Sequence, residues 1–271
     1  MLGAAGVATL SSLSAQNEAG KWQAAAIANG GTVSAARLAL ITTLISGSMA
    51  CGHWQSTDDI ALLVAENAGS ALTTLKRRAL MTVTAAPTFT TDRGYAFNGT
   101  SQYIDTRFIP STMATCMANG NIRQGIYERT NVGTNTTSFG VVDASAGSFN
   151  LRARNGSSQF AANMGGGAAN FTGITDSSGL HTAIYTGGST SKAWERGAAL
   201  TDITGLSKVS TGLGAFSYYI AARNNSGTAD LFRASTVGCA EWGAPLGGGT
   251  TAELAWYTAL QAFLTAVGAN V

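Results

Sequence analysis

The chain has 271 residues, enough for one large domain or a domain with a smaller appendage, and enough to bury roughly three quarters of its unfolded surface without disulfides or metal. Charged residues are only 11%, where about 25% is usual; hydrophobic residues hold an ordinary 45% and glycine fills 34 positions, so Gly, Ala, Ser, Thr and Asn have replaced charge. With 16 basic and 14 acidic residues scattered to a net +2, only 3 prolines and no Gly-X-Y period, the composition excludes a disordered chain, a collagen and the basic face of a nucleic-acid binder.

The first fifteen residues are small and apolar, but no Lys or Arg precedes Lys21, so the positive start of a signal peptide is missing and synthesis in the cytoplasm without export is expected. Leu38 to Ala50, the longest apolar stretch, is broken by Thr42, Thr43, Ser46, Gly47 and Ser48 and falls short of a membrane span. Up to about residue 80 the apolar period is helical. Trp22, Ala25, Ala26 and Ile27 precede a stop at Asn29-Gly30-Gly31, and a second helix starts near Thr32 or Ser34, carries Leu38, Ile41, Leu44 and Ile45 on one face, and ends before Gly52. A third is expected from Ser56 or Thr57, with Asp58 and Asp59 in its first turn and Ile60, Leu63 and Val64 buried. The basic run Lys76-Arg77-Arg78 reads as a solvated helix end.

From about residue 85 the period changes to two. SFNLRARN (148–155) places Phe149, Leu151 and Ala153 on one face and Asn150, Arg152 and Arg154 on the other, the pattern of a half-buried antiparallel strand. Further short strands are expected at 102–106, 125–129, 138–143, 180–186, 192–196, 218–222 and 231–237, separated by turn clusters such as Asn155-Gly156 and Gly187-Gly188. That many short strands indicate a sandwich or jelly roll. Thr250 and Glu253 form a capping box for a last helix at 251–267, with Leu254, Tyr257, Leu260, Leu264 and Val267 as its apolar stripe against the sandwich. The expected division is a helical module over 1–85 and the sandwich over 86–271.

Three segments point to a family. NGTSQYIDTRFIPST (98–112) resembles the opening strand of concanavalin A-like, laminin-G-like jelly rolls with its G-x-x-x-Y-I-D-T pattern; YYIAARNNSG (218–227) resembles a later strand running into a turn; AWYTALQAFLTAVG (255–268) resembles the terminal helix of such domains in tailed-bacteriophage and prophage virion proteins. Residues 30–68, followed by APTFTTDRGYAFNG (86–99), are similar to the helical module that often precedes that domain. The resemblance implies a mainly β protein, an antiparallel jelly-roll sandwich with a small N-terminal helical module and a C-terminal helix. In function it implies a non-enzymatic virion structural protein, on the capsid surface or the tail, with the lectin-like domain displayed outward. The alternative is an adhesin module contacting host surface glycans. It carries over no binding residue.

The candidate sites are few. A glycosidase needs two carboxyl groups about 5 Å or more apart across the scissile bond, whereas Glu128, Asp143, Glu195, Asp202, Asp230, Glu241 and Glu253 are isolated in sequence. No G-x-S-x-G elbow accompanies His53 or His181, and His181 reads as a structural histidine in a strand. Cys51-Gly52-His53 supplies two zinc-ligand types where a closed site takes four. Cys51, Cys116 and Cys239, odd in number and far apart, read as buried or semi-buried thiols. Gly165-Gly166-Gly167 and Gly247-Gly248-Gly249 read as connections, since neither is followed by Lys-Ser/Thr. Asp176 with Ser177, or Asp230, are the residues from which a calcium site would have to start, without a D-x-D-x-D-G loop. Trp194, Trp242, Tyr218 and Tyr219 are the aromatics that would stack on a sugar. No catalytic residue, metal or cofactor is expected. The expected partners are copies of the chain itself and other virion proteins, with a host glycan as a further one, and Trp22, Trp54 and the Leu38–Ile45 stripe are expected to bury against them.

Overall fold

A computed structural model of the chain describes residues 4–165, 167–206 and 211–271, with side chains from Leu13 onward. Gly166, within the first of the two glycine-rich connections, lies outside the described residues. Helix α1 (Ala4–Ala28) stops at Asn29-Gly30, and α2 (Ala35–Ala50) starts at Ser34, whose hydroxyl accepts from the Arg37 N–H at 3.1 Å. The expected third helix is a strand. A single turn, α3 (His53–Ser56), leads into β1 (Thr57–Leu62), which is buried along its whole length. Ile60, Leu62 and Val64 turn toward the helices and Ala61, Leu63 and Ala65 toward the sandwich interior, so both faces are apolar and no period of two survives in the sequence. Asp58 and Asp59 cap no helix: Asp58 accepts the N–H groups of Thr115, Cys116 and Met117, and Asp59 those of Ile60, Lys76 and Arg77. Nor is the basic run a solvated helix end. Lys76 donates to the Trp54 carbonyl at 2.7 Å and to that of Thr57, Arg77 lies 5.2 Å over the Phe108 ring, and Arg78 pairs with Glu18.

The chain continues through α4 (Ala68–Ala71), β2 (Thr82–Thr84), β3 (Thr88–Thr90), β4 (Gly94–Ala96), β5 (Tyr103–Asp105), α5 (Pro110–Met113), β6 (Ile122–Glu128), β7 (Phe139–Asp143), β8 (Gly147–Arg152) and β9 (Gln159–Met164). It ends with β10 (Gly167–Thr172), β11 (Gly179–Tyr185), β12 (Ser191–Glu195), β13 (Ala198–Ala199), β14 (Tyr219–Ile220), β15 (Arg223–Asn225), β16 (Thr228–Asp230), β17 (Thr236–Gly243) and α6 (Gly249–Ala266). Among the described residues these strands form two sheets. The eight-stranded sheet runs β13-β12-β11-β6-β17-β4-β3 with β1 beside β17, and the nine-stranded sheet runs β10-β9-β8-β7-β14-β5-β2 with the β15–β16 hairpin on β7. Neighbours are antiparallel apart from β15 on β7. The last strand is displaced from its expected position at 231–237: Arg233 leaves the ladder to bury its guanidinium on Glu128, and pairing starts at Thr236.

The sheets face each other over one core, in which Ile126, Ala183 and Trp242 meet Phe139, Val141, Leu151, Phe160 and Ile220. The fold is the mainly β, two-sheet antiparallel sandwich with flanking helices that the sequence predicts. A second core lies on the other face of the eight-stranded sheet. There Trp22, Ile41, Leu44, Ile45, Trp256, Leu260 and Phe263 cover Ile60, Leu62, Tyr127, Leu180 and Cys239. Helices α2 and α6 cross so closely that a Cβ on Gly47 would stand 2.8 Å from that of Ala259. Trp22, Trp54, Ile41, Leu44 and Ile45 are thereby buried in their own chain rather than left for a neighbour. The boundary expected near residue 85 is crossed by β1, which lies in the sheet.

The capping box at the start of α6 does not form: Gly248 precedes the helix, and Thr250 instead accepts the Trp194 indole N–H at 3.2 Å. Glu253 is spent on Arg123. The buried face of α6 is Ala252, Trp256, Leu260, Phe263 and Leu264, and Leu254, expected in it, is 50% exposed.

Candidate functional site

Two polar clusters stand out, one sealed and one open. The sealed one lies between the helices and the eight-stranded sheet. His53, at the turn after α2, puts Nδ1 2.8 Å from Ser48 Oγ and Nε2 2.8 Å from Glu241 Oε2, while Trp256 stacks on its ring at 3.8 Å. Arg123 of β6 reaches Glu241 at 2.7 Å and grips Glu253 with two bonds of 2.8 and 2.7 Å. The fold thus joins two carboxylates that are 12 residues apart in sequence and that spacing alone left isolated. Burial pushes the Glu241 carboxyl up, but Arg123 and His53 outweigh it and leave it below the ordinary range. Burial holds the His53 imidazole below its usual value against the opposing pull of Glu241. Serine, histidine and glutamate stand in the order of a nucleophile, base and acid, yet none is more than 1% exposed. With each group spent on a neighbour, the arrangement joins helix to sheet and offers no place for a reacting atom.

The open cluster lies on the outer face of the nine-stranded sheet. Alternation sends Phe149 and Leu151 of β8 inward, so Asn150 and Arg152 point out, with Asn163 of β9 and Tyr219 of β14 on the same side. The register aligns them in one row across the strands: Ala168, Asn163, Asn150, Gly140, Tyr219, Asp105 and Thr82. Gly140, at φ 149°, has to lack a side chain, since a Cβ would meet the Asn150 Cα and Cβ at 2.4 Å; Asn150 itself fills that space. Tyr219 stacks on Tyr103 at 4.3 Å, with Phe232 6.2 Å from Tyr103. Asn150 Nδ2, Asn163 Oδ1 and Arg152 Nε are buried without a hydrogen-bond partner. Buried polar atoms in native folds are nearly all bonded; these three, among the unpartnered buried atoms of the described residues, share one side of one sheet. The alternation in SFNLRARN carried this signal, but the register that aligns the residues could not be read from it.

The other sequence candidates fall elsewhere. Trp242 and Tyr218 are fully buried in the sandwich core, Trp194 is buried beside α6, and Tyr219, outside the core on β14, is itself only 8% exposed. Cys51 Sγ donates to the Ser48 carbonyl, both ring nitrogens of His53 are engaged, and among the described residues no three His, Cys, Asp or Glu converge as metal ligands. Asp176 binds Ser178 and Arg196, Ser177 lies between the Thr130 carbonyl and the Val132 N–H, and Asp230 pairs with Arg223 at 2.5 Å. His181 is buried in β11 against Phe160, and burial lowers its pKa to about 3. Glu128 is held by Arg233, Asp143 by the Ala215 N–H and Ser145, and Asp202 by Lys192.

No family model and no curated protein matches the chain. Solved structures do. The receptor-binding domain of the botulinum neurotoxin C/D mosaic serotype superposes with a TM-score of 0.50 at 10% identity, over 76% of this chain and 51% of that one. Domain 4 of AbnA, an extracellular arabinanase from Geobacillus stearothermophilus solved with arabinotriose, gives 0.46 at 12% identity over 74% and 98%. The sialidase carbohydrate-binding domain of Ruminococcus gnavus, bound to α2,3-sialyllactose, gives 0.39 at 10% over 49% and 80%. At these identities the likeness is one of fold, a two-sheet antiparallel β-sandwich.

Proposed function

We propose that this chain is a non-enzymatic structural protein of a tailed-bacteriophage particle, with its helical layer turned toward the assembly and its lectin-like sandwich displayed outward. The observation that carries the reading is the contrast between the two outer faces. Along α2 and α6 runs a groove of about 920 Å³ lined by Leu40, Leu44, Gly47, Ala255, Ala259 and Phe263 among others, with no charged side chain among the described residues that line it. The opposite face is the polar open sheet. A small-residue, uncharged groove suits close packing against a second copy of the chain, and the polar face suits solvent or a hydrophilic ligand. Replacing the exposed groove residues Ala255 and Thr258 with Arg tests this by light scattering on the purified protein and by recovery in particles. The reading expects self-association and incorporation to fall together, and a wild-type protein that stays monomeric and never joins particles overturns it.

The unpartnered amides of Asn150 and Asn163 beside Tyr219 favour a second reading that coexists with the first: the displayed face binds glycans. Hydroxyl groups would satisfy the amides and a sugar face would stack on the ring. Loss of glycan-array binding in Tyr219→Ala supports it, and an array without signal for the wild type removes it.

A further inference from the structure

The second reading leaves Arg152 unexplained, and Arg152 narrows the ligand. Its guanidinium has no hydrogen bond or ion pair among the described residues, and its Nε is buried. Nearby stand Arg223, already paired with Asp230 through bonds of 2.7 and 2.5 Å, and Arg233, already paired with Glu128 at 2.5 and 2.9 Å. Two guanidinium–carboxylate pairs are neutral, so the positive charge of Arg152 is left uncompensated between them. Burial, with the fields of Arg223 and Arg233 behind it, works against the charged form of Arg152. Arg154, next on the same side of the chain, donates to the neutral Asn131 amide and adds a second guanidinium without a carboxylate. A half-buried guanidinium without a carboxylate has its donors available to an anion.

The surroundings say what kind of anion. Arg152 stands opposite Ala161, which in turn faces Asn170, while one row along lie Asn163, Asn150, bare Gly140 and Tyr219. From Asn163 to Tyr219 the row crosses three inter-strand gaps, about 14 Å at the usual sheet spacing, the length of two or three sugar rings. The buried amides offer a donor and an acceptor, and the Tyr219–Tyr103 stack supplies an aromatic platform. The acidic residue of the row, Asp105, lies beyond Tyr219, away from Arg152, and its Oδ1 accepts the Arg107 N–H.

We propose that the open face of the nine-stranded sheet is an anionic-saccharide site, in which Arg152 receives the carboxylate or sulfate of one sugar while Asn150, Asn163 and Tyr219 hold its neighbours. This rests on the glycan-binding reading above. The test is titration calorimetry on the intact protein at low salt with matched probes: lactose against α2,3-sialyllactose, and a neutral against a uronate-containing and a sulfated oligosaccharide. At least one acidic probe is expected to bind ten-fold or more tightly than its neutral partner, with the preference shrinking as salt rises. Arg152→Gln is expected to erase that preference with the melting temperature in place, and Arg152→Lys to restore part of it. Carboxylate and sulfate are told apart by which probe carries the preference. Equal binding of neutral and acidic probes, unmoved by Arg152→Gln, overturns the anionic site and leaves the glycan reading standing. Failure of every probe overturns both.

Discussion

The two sheets of the sandwich have the same pleat and nearly the same number of strands, yet they treat charge in opposite ways. The eight-stranded sheet is covered on both faces, by the sandwich core and by the helices. There Arg123 is saturated by Glu241 and Glu253, and Arg233 by Glu128. Glu253 and Glu128 each take two bonds from a guanidinium, and Glu241 takes one contact from Arg123 and one from His53, because a charge far from water is tolerable only when paired. On the outer side of the nine-stranded sheet Arg152 and Arg154 stand without carboxylates. The covered sheet thus pairs its buried guanidinium groups, while the nine-stranded sheet pairs Arg223 with Asp230 but leaves Arg152 without a carboxylate. That difference can be broken by experiment, starting with the helices that create it.

Removing residues 1–66 takes away α1, α2 and β1 and leaves the outer face of β6, β11 and β17, with Tyr127, Leu180 and Cys239, open to water. The truncated sandwich is expected to be insoluble or molten, read as loss of soluble yield and of near-ultraviolet dichroism. A folded, soluble fragment with a sharp melting transition would show that the helical layer is an appendage after all, as the boundary near residue 85 supposed.

The next largest effect is local. Arg123→Met strands Glu241 and Glu253 in the covered layer and is expected to cost about 3–5 kcal/mol in denaturant unfolding. Adding Glu241→Leu and Glu253→Met to it should recover much of that loss, because the expense is the unpaired charge rather than the missing bonds. If Arg123→Met alone costs less than about 1 kcal/mol, the cluster is not the junction described here.

The covered layer also sets the pH response. His53 and His181 both have folded pKa values below their ordinary 6.5, His181 at about 3, so below 6.5 the unfolded chain takes up protons that the folded chain refuses. Stability from these groups is present above 6.5 and is lost as pH falls toward 3, at about 1.4 kcal/mol per pH unit for each imidazole that stays neutral. Glu241, lowered in the fold, adds loss in the same direction as pH falls through the carboxylate range. A falling melting temperature between pH 7 and 4 is expected, with His181→Phe flattening part of the slope; a flat profile would contradict the buried imidazoles.

The same contrast explains what could be read in advance. SFNLRARN announced its strand because one face is dry and the other wet, and it displayed Asn150, Arg152 and Arg154 together. TDDIALL and VGCAEWG, which became β1 and β17, are dry on both sides, so the first looked helical and the second went unnoticed beyond Val237. Glu253 sat three residues after Thr250 in the spacing of a capping box, but its partner Arg123 comes 130 residues earlier. A contact of that separation leaves no local pattern. The open site was half legible for the same reason: which side chains share a face follows from alternation, whereas Asn163, Gly140 and Tyr219 join Asn150 only through register.

The smallest expected effect sharpens the comparison most. Arg152→Gln removes a guanidinium of the same chemistry as Arg123, also on a strand, but half-buried where Arg123 is fully buried, and on the other sheet. No carboxylate loses its partner, and the residue left behind is neutral and can be hydrated, so no buried charge is stranded. Relief from the fields of Arg223 and Arg233 acts in favour of the variant, and the lost packing of the side-chain stem acts against it. These oppose each other, and the net change in unfolding free energy is expected within about 0.5 kcal/mol of zero, as for surface positions generally. Denaturant midpoints of Arg123→Met and Arg152→Gln, measured side by side, should therefore separate widely. A loss of more than about 2 kcal/mol in Arg152→Gln would place Arg152 among the structural ions and withdraw it from any ligand.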